Sequence, residues 1–307
     1  MQKIKSENIV LLANRNDLTE DEWLEIRRKS GIGGSEMAAI LGVNPYQSPL
    51  SVYYDKVEGS DFEGNIHTEF GNWMEPHIRD EFPKRFLKTD DIQIQVYEYP
   101  YVIQHKKYPF LIGNIDGIMI HPELGTGIIE IKTASERNWQ SWEEDKLPDM
   151  YYVQVMHYLA ITDLSYAYIV ALVGKRLLWK HIPRNEDIIK IIARQAKDFW
   201  HDHVLAKVPP APIGLGSDTD TLKKLYPKED GQVVELHEYQ DKRDKYKELM
   251  KQKAELEKEI EAIKQQFMAA MGESEVAIVG DRKVTWKTVS RKGFTVKPSS
   301  SRQLRIY

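Results

Sequence analysis

Apolar positions along this chain recur with two periods, near 3.6 residues and near 2, and each period predicts an element type. Thr19 and Glu22 stand three apart ahead of Trp23 and Ile26, a capping-box pattern that opens a helix. That helix runs into Arg27, Arg28 and Lys29, and the glycine-rich turn GIGGS follows at 31–35. Ser35 is then expected to cap a short helix through EMAAIL, stopped by Gly42. A second helical stretch covers 49–57, and helical spacing returns through Phe70, Met74, Ile78 and Phe82, with Pro76 expected to start or kink that helix. Strand-like runs occupy 92–97, 110–120 and 127–133. The turn-rich HPELGTG joins the last two, which predicts a β-hairpin. A helix at 149–162, a buried strand at 166–173, a glycine turn into a strand at 176–182, and a helix capped by Asn185 and running to Trp200 complete this part.

PPAPIGLGS at 209–217 is Pro/Gly punctuation and the expected domain boundary. Beyond it, Tyr246, Leu249, Leu256, Ile260, Ile263, Phe267 and Ala270 alternate three- and four-residue steps, with Lys253 in the one gap. That is the pattern of a coiled coil or helical hairpin. AIVGDRKVTWKTV at 277–289 reads as a two-strand hairpin turning at Gly280 and Asp281. The expected organisation is a core over 1–210, a linker over 211–235, and an appendage over 236–307.

Composition narrows the function classes. The 307 residues are 41% hydrophobic and 29% charged, an ordinary soluble composition with material for a core. The longest nearly unbroken apolar run, 166–173, falls far short of the roughly 20 residues that span a membrane. Absence of cysteine excludes disulfides, thiolate metal sites and iron–sulfur clusters. The N-terminus lacks a small-residue cleavage site, so a cytoplasmic protein with no membrane partner is expected. Net charge is −4 but uneven: from Val276 onward eight basic residues face the single acid Asp281, a local +7, so residues 1–275 carry −11. A basic end on an acidic body fits a polyanionic or acidic partner, and equally a solvated tail. The basic residues at the C-terminus alternate with Trp286, Phe294 and Tyr307, which suit base stacking or hairpin packing alike.

The strongest chemical signal is Asp116 followed by Glu130-Ile131-Lys132. Strand side chains at i and i+2 share a face, so Glu130 and Lys132 project together while Ile131 packs behind. Asp116 falls on the neighbouring strand. Two carboxylates across a hairpin can share a hard divalent cation, with the Ile131 carbonyl as a further oxygen and Lys132 orienting or deprotonating a water. One or two Mg²⁺ ions, about 3.5–4 Å apart if paired, would then assist phosphodiester hydrolysis. Taken alone the pattern is also that of a solvated strand pair, but both acids sit in apolar strands, where unpaired charge is costly. Glu75 can add a third carboxylate, or be helix-surface charge. Gln154 and Tyr158 lie one helical turn apart on one face, as site residues or as packing. Arg27 and Arg28 ahead of GIGGS can grip a phosphate at the following helix N-terminus, or simply border a capped turn. No Gly-x-Ser-x-Gly elbow or metal-ligand histidine spacing is present.

W-x-x-I-R-R at 23–28, GIGGSEMAAILG at 31–42, GNWMEPHIRDEF at 71–82, GNIDG at 113–117, IIEIKT at 128–133 and YYVQVMHYLA at 151–160 occur in an order and spacing that resemble the YqaJ-type viral recombinases. These are similar to phage lambda exonuclease, within the PD-(D/E)xK nuclease superfamily. The resemblance covers about residues 20–205. It implies an α/β fold, a restriction-endonuclease-like mixed sheet with flanking helices. It also implies an exonuclease that degrades one strand of linear duplex DNA 5′ to 3′, leaving a 3′ overhang for a single-strand annealing protein. Asp116, Glu130, the Ile131 carbonyl and Glu75 match the metal-site residues, for two Mg²⁺ ions that Mn²⁺ can replace. Lys132 matches the water-activating lysine, and Gln154 and Tyr158 match the helix over the active site. Ser35 with Arg27 or Arg28 matches the handling of the DNA 5′ end, Arg27 being preferred because it directly follows W-x-x-I. A ring-shaped homotrimer in the cytoplasm of a bacterial host, phage or prophage encoded, is implied. The C-terminal long helix and hairpin depart from the lambda-type body. A restriction-like or structure-specific endonuclease and a non-catalytic DNA-binding recombination scaffold are the rival readings.

Overall fold

The computed structural model describes residues 4, 6–59, 64–143, 146–290, 293 and 302–306. The chain divides into two units, Met1–Leu222 and Lys223–Tyr307.

The first unit is built on a five-stranded mixed sheet. Its strands are β2 (Gln95–Glu98), β5 (Gly117–His121), β6 (Gly125–Ala134), β7 (Tyr166–Val173) and β8 (Arg176–Pro183), in that spatial order. β5 and β6 form the expected antiparallel hairpin, with Gly117 opposite Ile129 and His121 opposite Gly125. β6 and β7 are parallel, joined by a crossover through α5 (Asp149–Thr162), and β7 and β8 are antiparallel. Alternation along the strands sorts the two faces. Ile129, Ile131, Tyr166, Tyr168 and Val170 pack with Ile78, Phe82 and Phe86 of α4 (Ile66–Asp90). Ile118, Ile128, Ala167, Ile169 and Ala171 face α5 and α6 (Glu186–Asp198) and α2 (Gly34–Ile40).

Several elements begin where local chemistry dictates. α1 (Glu20–Ser30) opens on the expected box: Thr19 Oγ1 accepts from Glu22 N–H at 3.3 Å and Glu22 Oε2 accepts from Thr19 N–H at 2.9 Å. Ser48 caps α3 (Pro49–Val57) with proline at its first position. α6 starts at Asn185 as expected and passes into a π-helical turn at Phe199–Leu205.

Other expectations are corrected. α2 is capped by Gly33, not Ser35, because the Glu36 carboxylate takes the Gly33 N–H at 2.6 Å, and Ser35 stands inside the helix. Pro76 does not start α4. The helix begins ten residues earlier, where Asn65 Oδ1 accepts from the N–H groups of His67 and Thr68, and both Pro76 and Pro83 lie within it. The run 110–120 is two strands, β4 (Ile112–Gly113) and β5. β4 belongs to a second antiparallel sheet with β1 (Ile9–Asn14) and β3 (Tyr101–His105), a sheet the polar/apolar pattern did not predict.

The stretch 211–235, expected as a linker, carries α7 (Gly216–Leu225), anchored by Asp218 Oδ2 accepting from the N–H groups of Ile213, Gly214 and Leu215. In the second unit, α8 (Gln240–Met271) is one continuous helix of 32 residues rather than a helical hairpin. No glycine or proline interrupts 240–271 to allow a reversal. β9 (Val276–Val279) and β10 (Arg282–Thr285) form the expected hairpin, turning at Gly280 with φ +61°. Trp286 is exposed, and Arg291, Lys292, Phe294, Lys297 and Tyr307 lie outside the described residues.

Tyr166 shows how tightly the sheet is fitted. Its ring lies flat over Gly127, where a Cβ would sit 2.2 Å from Cε2, and its hydroxyl donates to the Gly125 carbonyl at 2.9 Å. Gly127→Ala should therefore lower stability by about 1–3 kcal/mol through overpacking. A thermal melt checks this, and an unchanged melting temperature would show that the ring can swing clear.

Candidate active site

Asp116 immediately precedes β5, and Glu130 and Lys132 stand on β6, at the α5-facing side of the hairpin. The antiparallel register puts Asp116 beside the Glu130–Ile131 segment, and its Oδ2 accepts from the Ile131 N–H at 2.6 Å. Ile131 itself packs on the α4 side with Ile78 and Phe82. Glu130 is 1% exposed. One of its oxygens accepts from Lys132 Nζ; the other, Oε2, is buried with no hydrogen-bond partner. Glu75 reaches the same region from α4 and is paired one helical turn on with Arg79, whose other end faces Glu98 at 3.9 Å.

Electrostatics ties these groups together. Burial, then the charge of Asp116, pushes the Glu130 carboxyl up to about 8. Burial and Asp116 likewise push Glu75 up to about 7. Asp116 is raised by burial against the pull of Lys132 and the Ile131 N–H. Burial opposes the Lys132 charge, but Glu130 and Asp116 outweigh it and hold the ammonium protonated. Its Nζ also lies 5.4 Å from the centre of the Tyr151 ring.

Lys132, Arg79 and a backbone N–H each engage an oxygen of these carboxylates, and no group of three or more metal-ligating side chains stands at coordinating distance among the described residues. The donor set nonetheless fits a hard divalent cation. It offers carboxylate oxygens and the Ile131 carbonyl, and Glu130 Oε2 is an orphaned acceptor whose burial is costly without a positive partner. Arg79 Nε is the complementary orphan, a buried donor without an acceptor and suited to an anion.

α5 covers the site. Gln154 Nε2 donates to the Tyr158 hydroxyl at 3.1 Å. Burial and then Glu130 raise the Tyr158 phenol, so it stays a neutral donor. Two glycines approach one edge of the ring: a Cβ on Gly34 or on Gly113 would come within 2.9 Å of it. His157, next along the helix, is structural. Burial lowers it to about 4, and its neutral ring bonds the Ile112 carbonyl at 2.8 Å.

Arg27, Arg28 and Ser35 line a separate cavity of about 540 Å³. The two arginines differ in employment. Arg28 forks onto Glu25 at 2.7 and 2.9 Å and donates to the Lys56 carbonyl at the end of α3. Arg27 stacks on Trp23 at 4.8 Å with its guanidinium against Gly33 at the start of α2. Beneath them Lys56, its side chain 1% exposed, pairs with Glu36 at 2.7 Å and donates to the Arg27 carbonyl at 3.0 Å.

The structure thus gathers Glu75, Asp116, Glu130, Lys132, Gln154 and Tyr158 in one region and sets Arg27, Arg28 and Ser35 in another. Sequence reasoning missed Arg79, Tyr151 and the Lys56–Glu36 pair. Arg79 was findable, four residues after Glu75 on a helix. Lys56 and Glu36 are twenty residues apart, and nothing local announces their pairing.

Fold and site define a mixed α/β protein with an acidic, lysine-bearing cluster on a central hairpin and an arginine-lined turn nearby. Residues 22–165 match the YqaJ-like viral recombinase domain. The uncharacterized protein YqaJ of Bacillus subtilis (strain 168) is 30% identical over 292 residues, covering 92% of this chain and 88% of that one. The chain belongs to the YqaJ-like viral recombinase family. Among solved structures, LHK-Exo in complex with dAMP is similar at TM-score 0.48 and 18% identity, over 67% of this chain and 97% of that one. The alkaline exonuclease LHK-Exo from Laribacter hongkongensis gives 0.47 and 17%, over 67% and 100%. A phage related exonuclease from Haemophilus somnus 129PT gives 0.41 and 15%, over 58% and 96%. No helix among the described residues is long and apolar enough to cross a membrane.

The raised carboxyls have a consequence for stability. Glu130 at about 8 and Glu75 at about 7 bind protons more tightly folded than unfolded, where 4.5 is ordinary. Their contribution is full below about pH 4.5 and is lost as pH rises through 7 to 8. Melts in chelator should therefore fall between pH 5 and 9 more steeply for the wild type than for Glu130→Gln. Equal slopes would show that Glu130 ionises normally.

Proposed function

We propose that this chain is a Mg²⁺-dependent exonuclease that digests one strand of linear duplex DNA 5′ to 3′. The 3′ overhang would serve a single-strand annealing protein in phage-type recombination. The observation that carries the reading is the buried, unpartnered Glu130 Oε2 beside Asp116 and Lys132. The motif order and family membership support the DNA substrate, the 5′ to 3′ polarity, a ring-shaped homotrimer and the cytoplasm of a bacterial host.

Asp116, Glu130, the Ile131 carbonyl and Glu75 would hold the cation or a pair of them, Mn²⁺ substituting for Mg²⁺. When bound, such ions activate a water and stabilise the leaving oxygen. The chain's own groups do the rest. Lys132 orients the attacking water; it can accept a proton only when the carboxylate charge that keeps it protonated is offset. Tyr158, positioned by Gln154 and kept neutral by burial, donates a hydrogen bond into the site. Arg79 offers its unpaired Nε–H to a phosphate oxygen. Arg27, with Ser35 beside it, receives the 5′ phosphate, while Arg28 holds α1 to α3.

Linear duplex labelled on one strand, with and without a 5′ phosphate, in Mg²⁺ and in EDTA, tests this. Mg²⁺-dependent loss from 5′ ends with a closed circle spared is expected. Nicking of the circle would instead indicate an endonuclease, and binding without turnover a scaffold. Lys132→Ala should bind DNA but lose about 10²–10⁴-fold in rate. Arg27→Ala should lose about tenfold or more of the preference for a phosphorylated end, as one charge-assisted contact provides. Arg28→Ala should instead lower the melting temperature with that preference intact.

A further inference from the structure

A groove of about 870 Å³ lies between α4 and the β7–β8 hairpin, and the chemistry described above does not use it. Its floor is apolar, formed by Met74, Ile78, Leu172, Leu177 and Trp179. Trp179 is held there by an edge contact to Phe82 at 5.6 Å and a tilted one to Phe86 at 5.9 Å. Its rim is basic, with Lys84, Arg85, Lys88, Lys175 and Arg176 against only Asp80 and Glu81. Glu81 is already engaged by Lys84 and Arg85. Arg176 stacks on Trp139 at 4.6 Å. Lys88 and Lys175 form no ion pair among the described residues.

The groove lies on the α4 face of the sheet and the Glu130–Lys132 pair on the α5 face, but both walls are built on elements that adjoin site residues in the chain. Along α4, Met74 on the floor adjoins Glu75, and Lys88 lies thirteen residues further, about 20 Å at the helical rise. On the other wall, the Gly174 N–H donates to the Ala134 carbonyl at 2.9 Å, docking the hairpin tip that carries Lys175 and Arg176 onto the end of β6, beyond Lys132. The chain as a whole is acidic, so five cations around one groove are a local arrangement rather than an average.

We propose that this groove binds single-stranded DNA, with bases on the apolar floor and phosphates on the basic rim. Exposed bases need apolar surface and successive phosphates need cations; this groove supplies both side by side. A duplex hides its bases and would leave the floor unused. The proposal rests on the nuclease reading only for why a single strand should be present beside the site.

The test is binding of an oligonucleotide to the full-length protein in EDTA, where no cleavage intervenes, as a function of salt. The variant is Lys84→Ala/Lys88→Ala/Lys175→Ala; the control is Lys190→Ala/Lys197→Ala/Lys207→Ala, with the same charge change outside the groove. Each lost phosphate contact should reduce the single-strand salt slope by roughly 0.7, so the triple variant should lose roughly 2. The control should change little, and Lys→Arg at the three groove positions should retain binding. Equal loss for duplex and single strand would overturn the single-strand assignment. An unchanged slope in a variant that still cleaves would overturn the groove and leave the nuclease reading intact. A reduced slope in a chain with no nuclease activity would do the reverse.

Discussion

A carboxylate 1% exposed on the middle strand of a five-stranded sheet is expensive, and most of the site follows from how that cost is met at Glu130. One oxygen is met by Lys132 two residues on, which the strand's period places on the same face. The β5–β6 register places Asp116 alongside, and Asp116 is tied down by the Ile131 N–H rather than by a cation. The second oxygen of Glu130 has no hydrogen-bond partner among the described residues. An apolar residue there would remove the orphaned oxygen but would also leave Lys132 without its carboxylate partner. The pH dependence of stability and the proposed cation affinity therefore both trace to the same desolvated carboxylate.

The same packing links the two functional regions. Gly33 receives the guanidinium of Arg27, and the next residue, Gly34, presses against Gln154 and Tyr158. α2 is thus the spacer between the arginine-lined turn and the helix over the carboxylates. Tyr158 is also pressed by Gly113, close to Asp116 in the chain. Both glycines approach the Cδ1–Cε1–Cζ edge of the ring, so a side chain at either position would push it. If the turn binds a DNA end and the carboxylates cleave, as proposed, this contact sets the spacing between the two. The buried Lys56–Glu36 pair adds a second tie, between α3, the Arg27 carbonyl and the start of α2.

Where local chemistry decides, the sequence was legible. The Thr19–Glu22 box, the Asn185 cap, the β5–β6 hairpin and the helical period of α8 need no knowledge of what lies far along the chain. Glu130 and Lys132 share a face because any strand would place them so. What escaped depends on tertiary partners. β1 and β3 are short and pair with each other across some ninety residues, and alternation is weak in both. Ser35 has the right side chain for a cap, but Glu36 reaches the Gly33 N–H first. Pro76 and Pro83 read as breakers, yet α4 carries both, because Ile78, Phe82 and Phe86 bury its inner face against the sheet and outweigh the lost hydrogen bonds.

At a net charge of −4 the average field of this chain repels a polyanion, so binding one, as proposed, needs the charge organised locally. This chain does so by concentrating cations at few places and neutralising acids locally. Glu25, Glu36, Glu75 and Glu81 are each paired with a basic side chain. Such pairs contribute little field beyond the Debye length of about 8 Å at physiological salt. Arg27 at the turn, and Lys88 and Lys175 at the groove, form no ion pair among the described residues. The carboxylates themselves are the one cluster whose charge the chain leaves only partly compensated. A divalent cation held there, as proposed, would offset that charge and so weaken the local repulsion of a phosphate backbone, separately from any contact the groove makes.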